Sequence, residues 1–417
     1  MERWRINLYS VWFTQIISIM SFNLGMPFMV YYIQEMGMHD PAQIKLYAGI
    51  LSAGPAITLG LMAPVWGRLA DRFGKKIMLL RAVMFGSVIM LGLGMATQVW
   101  QLVVLRMIQG VFTGTITASS ALVASTVPEN KMGYSLGFLA SSTAIGGSVG
   151  PALGGLMAEW LGYRYSFLLG GFLLFLDVLV VLFLIRDPAE QKPQTIASSS
   201  VNPAIVPARL KDSFVFSSWF IASMLLLLVL RFATSVFGPY MPILIQQKMN
   251  SLEGAAGITG LVNAFISVMM AISGIFLGKL GDRYDRMKLL RWYAIAGFLL
   301  AIPLSLHSSI WMLMVNYGVM MFFVCGIEPV LMGATTSRIR RDQRGTMFGV
   351  QTLVGSIGWG LSPMLGGYIS IRHSIPAVLL AIPAFLFVEI LLAGTIGRRL
   401  SGRSPLESSA PGAKPAA

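Results

Sequence analysis

Cysteine occurs once in 417 residues, at Cys325, so no internal disulfide is available to staple the fold. Histidine is nearly as rare, and His39, His307 and His373 lack the spacing of a metal site. Charged residues make up 12% of the chain, against roughly a quarter in an ordinary soluble domain. Acids are the scarcer sign, with 17 Asp and Glu against 31 Lys and Arg. No Gly-x-x-x-x-Gly-Lys-Ser/Thr loop is present to cradle a nucleotide phosphate, so ATP is not the evident energy source. The short alternating segments of a β-barrel are missing too. No enzyme chemistry, metal or cofactor is read from these residues.

What the chain has is hydrophobic length. Apolar residues make up 55%, and runs such as 77–96 and 167–185 are each about long enough to cross a hydrocarbon core of roughly 30 Å. The pattern predicts an all-α polytopic membrane protein with twelve spans, at 8–33, 46–68, 77–97, 99–124, 134–158, 164–185, 214–245, 256–279, 288–307, 309–336, 345–370 and 375–396. The connection 186–213, rich in Pro, Ser and Ala, is expected to be a cytoplasmic linker between six-helix halves at 1–185 and 214–397. The tail 398–417 is expected to be disordered, and the first apolar stretch to remain as a span rather than be cleaved.

A net charge of +14 would suit nucleic acid, but its distribution suits a bilayer. Of the 31 cations, 25 fall in the N-terminus, the even-to-odd connections and the tail; Lys45, Arg164, Lys248 and Arg372 fall on the opposite side, and Arg106 and Arg231 inside spans. Positive charge is retained on the cytoplasmic side, so both termini are expected there.

The sequence also repeats itself. At an offset of 212, Pro27 meets Pro239, Gln34 meets Gln246, Gly114 meets Gly326, Gly133 meets Gly345, and Asp177 meets Glu389. The same offset carries Pro151-Ala-Leu-Gly154-Gly155 onto Pro363-Met-Leu-Gly366-Gly367. Six helices per repeat is an even number, so the halves are parallel repeats with a substrate site expected between them near mid-membrane. Near the same spacing, Gly67-Arg-Leu-Ala-Asp71-Arg72-Phe-Gly74-Lys75-Lys76 has an echo in Gly278-Lys-Leu-Gly-Asp282-Arg283. Asp71 can accept from free N–H groups at a neighbouring helix start, and Arg72, Lys75, Lys76 and Arg81 can meet carboxylates or headgroups, so the hinge is a candidate gate. A plain positively charged turn is the alternative.

That decapeptide resembles motif A of the major facilitator superfamily. Leu102-Val-Val-Leu-Arg106-Met-Ile-Gln109-Gly110-Val-Phe-Thr113-Gly114 resembles its motif B, and Gly146-Gly-Ser-Val-Gly150-Pro151-Ala-Leu-Gly154-Gly155 resembles motif C of its drug:proton antiporter branch. The segments at 7–13 and 127–133 are similar to multidrug efflux proteins of the MdtG and PmrA type. The resemblance implies the twelve-helix fold in two pseudo-symmetric six-helix bundles, with motif C sealing the outward end of a cavity. It also implies that Arg106 contacts the first span and helps couple protonation to shape; Asn23 is a candidate polar partner, and snorkelling toward the outer end of the fourth span is the alternative. Related exporters carry an Asp near the cytoplasmic end of the fourth span; Ser125 stands there in this chain, which puts that charge relay in doubt.

Ionisable groups inside spans are costly and by default functional. Glu328, among apolar neighbours and followed by Pro329, is the first candidate for a proton or cationic-substrate site, with a carboxyl paired to helix backbone freed near Pro329 the alternative. Asp177 is a second, with a structural role equally open to it and to Glu389. Arg231 can balance a carboxylate, attract an anion or make a plain interhelix hydrogen bond. Phe22, Met26 and Tyr31 with Phe232 and Tyr240 are the expected aromatic and thioether lining, joined by Gln109 and Thr113 of motif B. The function expected is proton-coupled antiport of small amphipathic drugs by a monomer in the bacterial cytoplasmic membrane, driven by the proton gradient. A transporter of a defined metabolite, sugar or lipid-like molecule is the alternative, and a non-transporting membrane sensor a third.

Overall fold

The computed structural model describes residues 3–128, 131–185, 217–339 and 344–400. The expected linker at 186–213 and the tail beyond 400 lie outside the described residues. Twelve long helices account for the described chain. The first half comprises α1 (Arg3–Gly25, then Met29–Glu35), α2 (Pro41–Phe73), α3 (Lys75–Met95), α4 (Val99–Phe112, then Thr115–Thr126), α5 (Met132–Leu161) and α6 (Tyr163–Leu184). The second comprises α7 (Ser218–Ser235, then Met241–Met249), α8 (Ala255–Arg283), α9 (Arg286–Ala301), α10 (Ile310–Cys325, then Ile327–Thr336), α11 (Arg344–Arg372) and α12 (Ile375–Leu400).

Eleven of these are long and apolar enough to cross a membrane. α11 is not among them, and its composition explains why: Gln351, Ser356, Ser362 and several glycines face the other half and the interior rather than lipid. The boundaries shift from the sequence reading where charged turns stay helical, so α2 continues to Phe73 and α12 to Leu400.

The breaks within helices follow the repeat. A 3₁₀ turn interrupts α1 at Met26–Phe28 and another interrupts α7 at Gly238–Tyr240, each with a proline near its start. Proline lacks the N–H that would continue the α-helical ladder, so Pro27 and Pro239 set both breaks. α4 breaks at Gly114, whose φ of +125° is open to glycine and strained for any side chain, and α10 breaks at the repeat-equivalent Gly326.

Alternate helices reverse direction. Side chains at the end of α1 reach the end of α3 (Tyr32 to the Leu93 carbonyl, 3.1 Å), and the start of α2 meets the end of α11 (Lys45 to the Ser370 carbonyl, 2.8 Å). Arg3 and Leu400 therefore share one end of the bundle, called here the terminal end; the opposite is the far end. Within the halves, α1 packs on α5 and α6, α3 on α6, α7 on α12, and α9 on α12. Two seams join the halves, α5 against α8 and α2 against α11.

Both seams are lined with small residues. A Cβ on Gly155 of α5 would lie 2.8 Å from the Ala256 carbonyl oxygen of α8, and one on Gly60 of α2 would lie 2.8 Å from Ser356 Cβ of α11. Such close approach replaces a hydrophobic drive that is absent in lipid with dispersion and backbone contact.

Candidate functional site

Three cavities of about 420, 400 and 520 Å³ share walls between the halves, and Trp359 of α11 lines all three. The charged side chains that line them are Arg106, Arg231 and Glu328. The largest extends past the α4 break to Thr117 and to Phe348, near the start of α11, so it reaches toward the terminal end.

The centre of the site is an ion pair. Arg231 Nη2 of α7 donates to Glu328 Oε1 of α10 at 2.5 Å, with the side chains 21% and 31% exposed. Local geometry brings them together. Glu328 follows the Gly326 break, and Arg231 lies against two glycines of α11, where a Cβ on Gly358 would stand 2.5 Å from Arg231 Cβ. In that slot the guanidinium sits 4.7 Å from the centre of the Trp359 ring, within cation–π range. The carboxylate beside Arg231 is that of Glu328. Glu328 pairs with Arg231 rather than with backbone freed by Pro329.

Arg106 is held differently. Its Nε donates to the Leu51 carbonyl of α2 at 2.8 Å and its Nη1 to Gln109 Oε1 at 2.5 Å, both uncharged acceptors. The expected contact with Asn23 is not made: Asn23 Nδ2 donates to the Ile19 carbonyl one turn back, and its Cβ packs toward Gly150. Rotation of α1 turns Asn23 to α5, while Phe22 and Met26 reach the cavity.

Phe22, Met26, Gln109 and Thr113 line the largest of the three cavities. Tyr31, Tyr240 and Phe232 do not. Tyr31 is fully buried and donates to the Pro242 carbonyl at 2.7 Å, with Thr259 Oγ1 at 2.8 Å, both in the other half. Tyr240 is fully buried and donates to the Pro363 carbonyl at 2.6 Å. Phe232 packs at a tilt against Phe385 of α12, ring centres 5.4 Å apart. The two tyrosines hold helices together because a phenol hydroxyl finds a carbonyl between packed helices that a cavity would not offer.

Asp177 also lies away from the cavity, fully buried within the first half, where Ser18 Oγ of α1 donates to Oδ2 at 3.0 Å. Its repeat partner Glu389 is 1% exposed, and neither of its oxygens has a hydrogen-bond partner among the described residues. The residue 212 positions after Ser18 is the buried Leu230, which explains the missing donor.

The motif A hinge is a single residue, Gly74, at φ +91° between α2 and α3. Lys76 Nζ donates to the Leu182 carbonyl of α6 at 2.9 Å. Arg72 lies 5.4 Å from the Phe73 ring centre. The Arg81 guanidinium lies 3.5 Å from the centre of the Trp66 ring. A Cβ on Gly67 would find open space. The side chains of Asp71, Asp282 and Arg283 lie outside the described ones. Ser125 donates to the Leu122 carbonyl of its own helix at 2.8 Å.

Motif C has two faces. Gly146, Gly150 and Gly154 admit the backbone of α1, where a Cβ would strike the carbonyls of Ile16, Met20 and Leu24 respectively. Gly155 and the Pro151 carbonyl face α8 across the seam. One stretch thus packs α5 within its half and against the other half.

Trp359 and Gln351 were not singled out from sequence, yet both line the cavity. A lone Trp among Gly355, Ser356, Gly358 and Gly360 is a signal that was there to be used, since a large ring between residues that admit close neighbours stands over a gap or a groove.

The sequence profile described as Major Facilitator Superfamily matches residues 11–306 and 224–416. A multi-drug resistance efflux pump PmrA homolog from Lactococcus lactis is 29% identical over 93% of this chain and 94% of its own. Multidrug resistance protein MdtG from Salmonella arizonae is 30% identical over 90% and 91%, and MdtG from Proteus mirabilis 28% over 93% and 95%. Among solved structures, a bacterial homolog of the human lysosomal transporter Spinster, inward-facing and occupied, superposes with a TM-score of 0.74 at 14% identity over 97% of this chain and 98% of that one. The human organic anion transporter MFSD10 superposes at 0.69 with 15% identity, over 94% and 100%.

Proposed function

Because the chain belongs to the Major Facilitator Superfamily, we propose that it is a proton-coupled exporter of amphipathic drugs, working by alternating access in the cytoplasmic membrane of a bacterium. The relatives named for multidrug efflux support the cargo, and the bias of Lys and Arg to the terminal end supports its cytoplasmic position.

The observation that carries the mechanism is the Arg231–Glu328 pair in a cavity shared by both halves. An ion pair belongs to the deprotonated carboxylate. With the cavity reaching toward the terminal end, this is the state expected after a proton has left to the cytoplasm and before a drug has bound. Arg231 occupies Oε1, and Glu328 is left partly open to the cavity. A cationic or donor group on the drug then competes with a proton for the same carboxyl, which is the requirement for exchange of one against the other. Each ligand drives the cycle by binding the two access states unequally. Arg106 keeps a positive charge in the wall throughout, beside the hydrocarbon and sulfur surfaces of Phe22 and Met26.

Purified protein in proteoliposomes under an imposed pH gradient tests this. Glu328→Gln keeps the shape and loses the titrating group, so membrane insertion persists and pH-driven efflux falls at least tenfold. Full proton-coupled flux in that variant removes Glu328 from the mechanism.

A further inference from the structure

Among the polar contacts that cross between the halves at the far end, two join a charged side chain to a helix end, and they occupy neighbouring places in the repeat. On one side, Glu159 near the end of α5 accepts at Oε1 from the Gly257 N–H, 2.8 Å away. Gly257 lies in the first turn of α8, whose N–H groups have no partner within their own helix. The residue before that helix is Gly254, which offers no side-chain cap, so the carboxylate from the other half fills the role. Glycine at 257 is what permits the approach, because a Cβ there would stand 2.6 Å from Glu159 Oε1.

On the other side, Lys45 near the start of α2 donates from Nζ to the Ser370 carbonyl at 2.8 Å, in the last turn of α11. The offset of 212 carries position 45 to 257 and position 159 to 371, the neighbour of Ser370, so the two contacts share one repeat position and lie one residue apart at the other. The chemistry is inverted between them. A helix start presents positive partial charge and here meets an anion; a helix end presents negative partial charge and here meets a cation. Neither side chain lines the central cavities, so drug recognition does not account for them.

We propose that Glu159 and Lys45 are gating residues, forming two helix-end latches that hold the far end shut and must both release before the cavity opens there. The proposal rests on the alternating-access reading but not on the identity of the drug. Each latch favours the shut over the open far end by about two- to fivefold, the range expected for a charge at an exposed helix end. The two lie on separate seams, so their effects multiply.

Pulsed electron–electron resonance between spin labels at Trp160→Cys and His373→Cys, in a Cys325→Ser background reconstituted in nanodiscs, measures the far end directly. Both label sites are exposed, lie in different halves and take no part in either latch. Glu159→Lys and Lys45→Glu are each expected to raise the ratio of long to short distances about two- to fivefold, and the double variant by roughly the product. Unchanged distance distributions in these folded variants overturn the proposal. Should the charge reversals fail to fold, Glu159→Gln and Lys45→Gln decide it, with a smaller shift in the same direction expected and no shift overturning it. No substrate enters this experiment, so its failure leaves the role of Glu328 untouched, and normal latches leave drug export to be tested on its own.

Discussion

Gln34 and Gln246, 212 residues apart and equivalent in the repeat, hydrogen-bond to each other twice, Gln34 Nε2 to Gln246 Oε1 at 3.0 Å and Gln246 Nε2 to Gln34 Oε1 at 2.8 Å. They stand beyond the paired 3₁₀ turns of α1 and α7, where the two halves come together on their common axis. A primary amide carries both a donor and an acceptor, so identical residues related by a twofold can satisfy each other where two carboxylates or two lysines would repel.

The amide pair should therefore show the asymmetry of partly buried hydrogen bonds. Gln34→Ala alone strands the other amide and is expected to cost about 1–2 kcal/mol. Replacing both with leucine should cost clearly less than twice that. A double-mutant cycle on thermal stability in detergent measures the coupling, and additive losses would show that the two amides act independently.

Asp177 and Glu389 should respond in opposite ways to loss of their polar atoms. Asp177→Leu removes the acceptor of the buried Ser18 hydroxyl and is expected to destabilise by about 1–3 kcal/mol. Glu389→Met replaces a carboxyl that has no partner among the described residues with a side chain of similar length, and is expected to be neutral or stabilising. Thermal midpoints of the two purified variants decide this. A large loss in Glu389→Met would show that its carboxyl has a role the static packing does not display.

The α1–α5 contact gives a second contrast. A methyl at Gly154 would run into the carbonyl and Cα of Leu24, which is backbone and cannot swing aside. Gly154→Ala should cost about 1–3 kcal/mol or prevent assembly. Gly137, in the same helix, has open space around it, and Gly137→Ala should stabilise by about 0.5–1 kcal/mol through helix propensity. Comparing the detergent-solubilised melting of the two tests whether the small-residue stripe acts through packing.

Trp359 should matter for the cargo more than for the fold. It is 47% exposed, toward the cavity, with Arg231 over its ring. Trp359→Leu is expected to weaken transport of aromatic drugs about three- to tenfold in KM while Trp359→Phe keeps most of it, since stacking is worth about 0.5–1.5 kcal/mol. Equal effects of both substitutions on aromatic and aliphatic cargo would assign the residue to shaping the cavity alone.

Composition and periodicity determined much of this protein by themselves. Runs of apolar length place the spans, the 212-residue offset pairs the halves, and Pro27, Pro239, Gly114 and Gly326 mark the breaks because the backbone cannot continue a regular helix through them unchanged. Ionisable residues within apolar spans also declare themselves, and Arg106, Arg231 and Glu328 all line the cavity. Which way each helix is turned was decided only by tertiary packing. In a span surrounded by lipid on one side and by other apolar helices on the next, hydrophobicity is similar all round, so the pattern carries little information about orientation. Tyr31 and Tyr240 therefore read as cavity walls and prove to be seam bolts, Asn23 reads as a partner of Arg106 and turns to α5, and Trp359 passes unnoticed. The pairing of Arg231 with Glu328, 97 residues away, needed α7, α10 and the glycine slot of α11 to be brought together in space, and no local feature of either helix encodes that meeting.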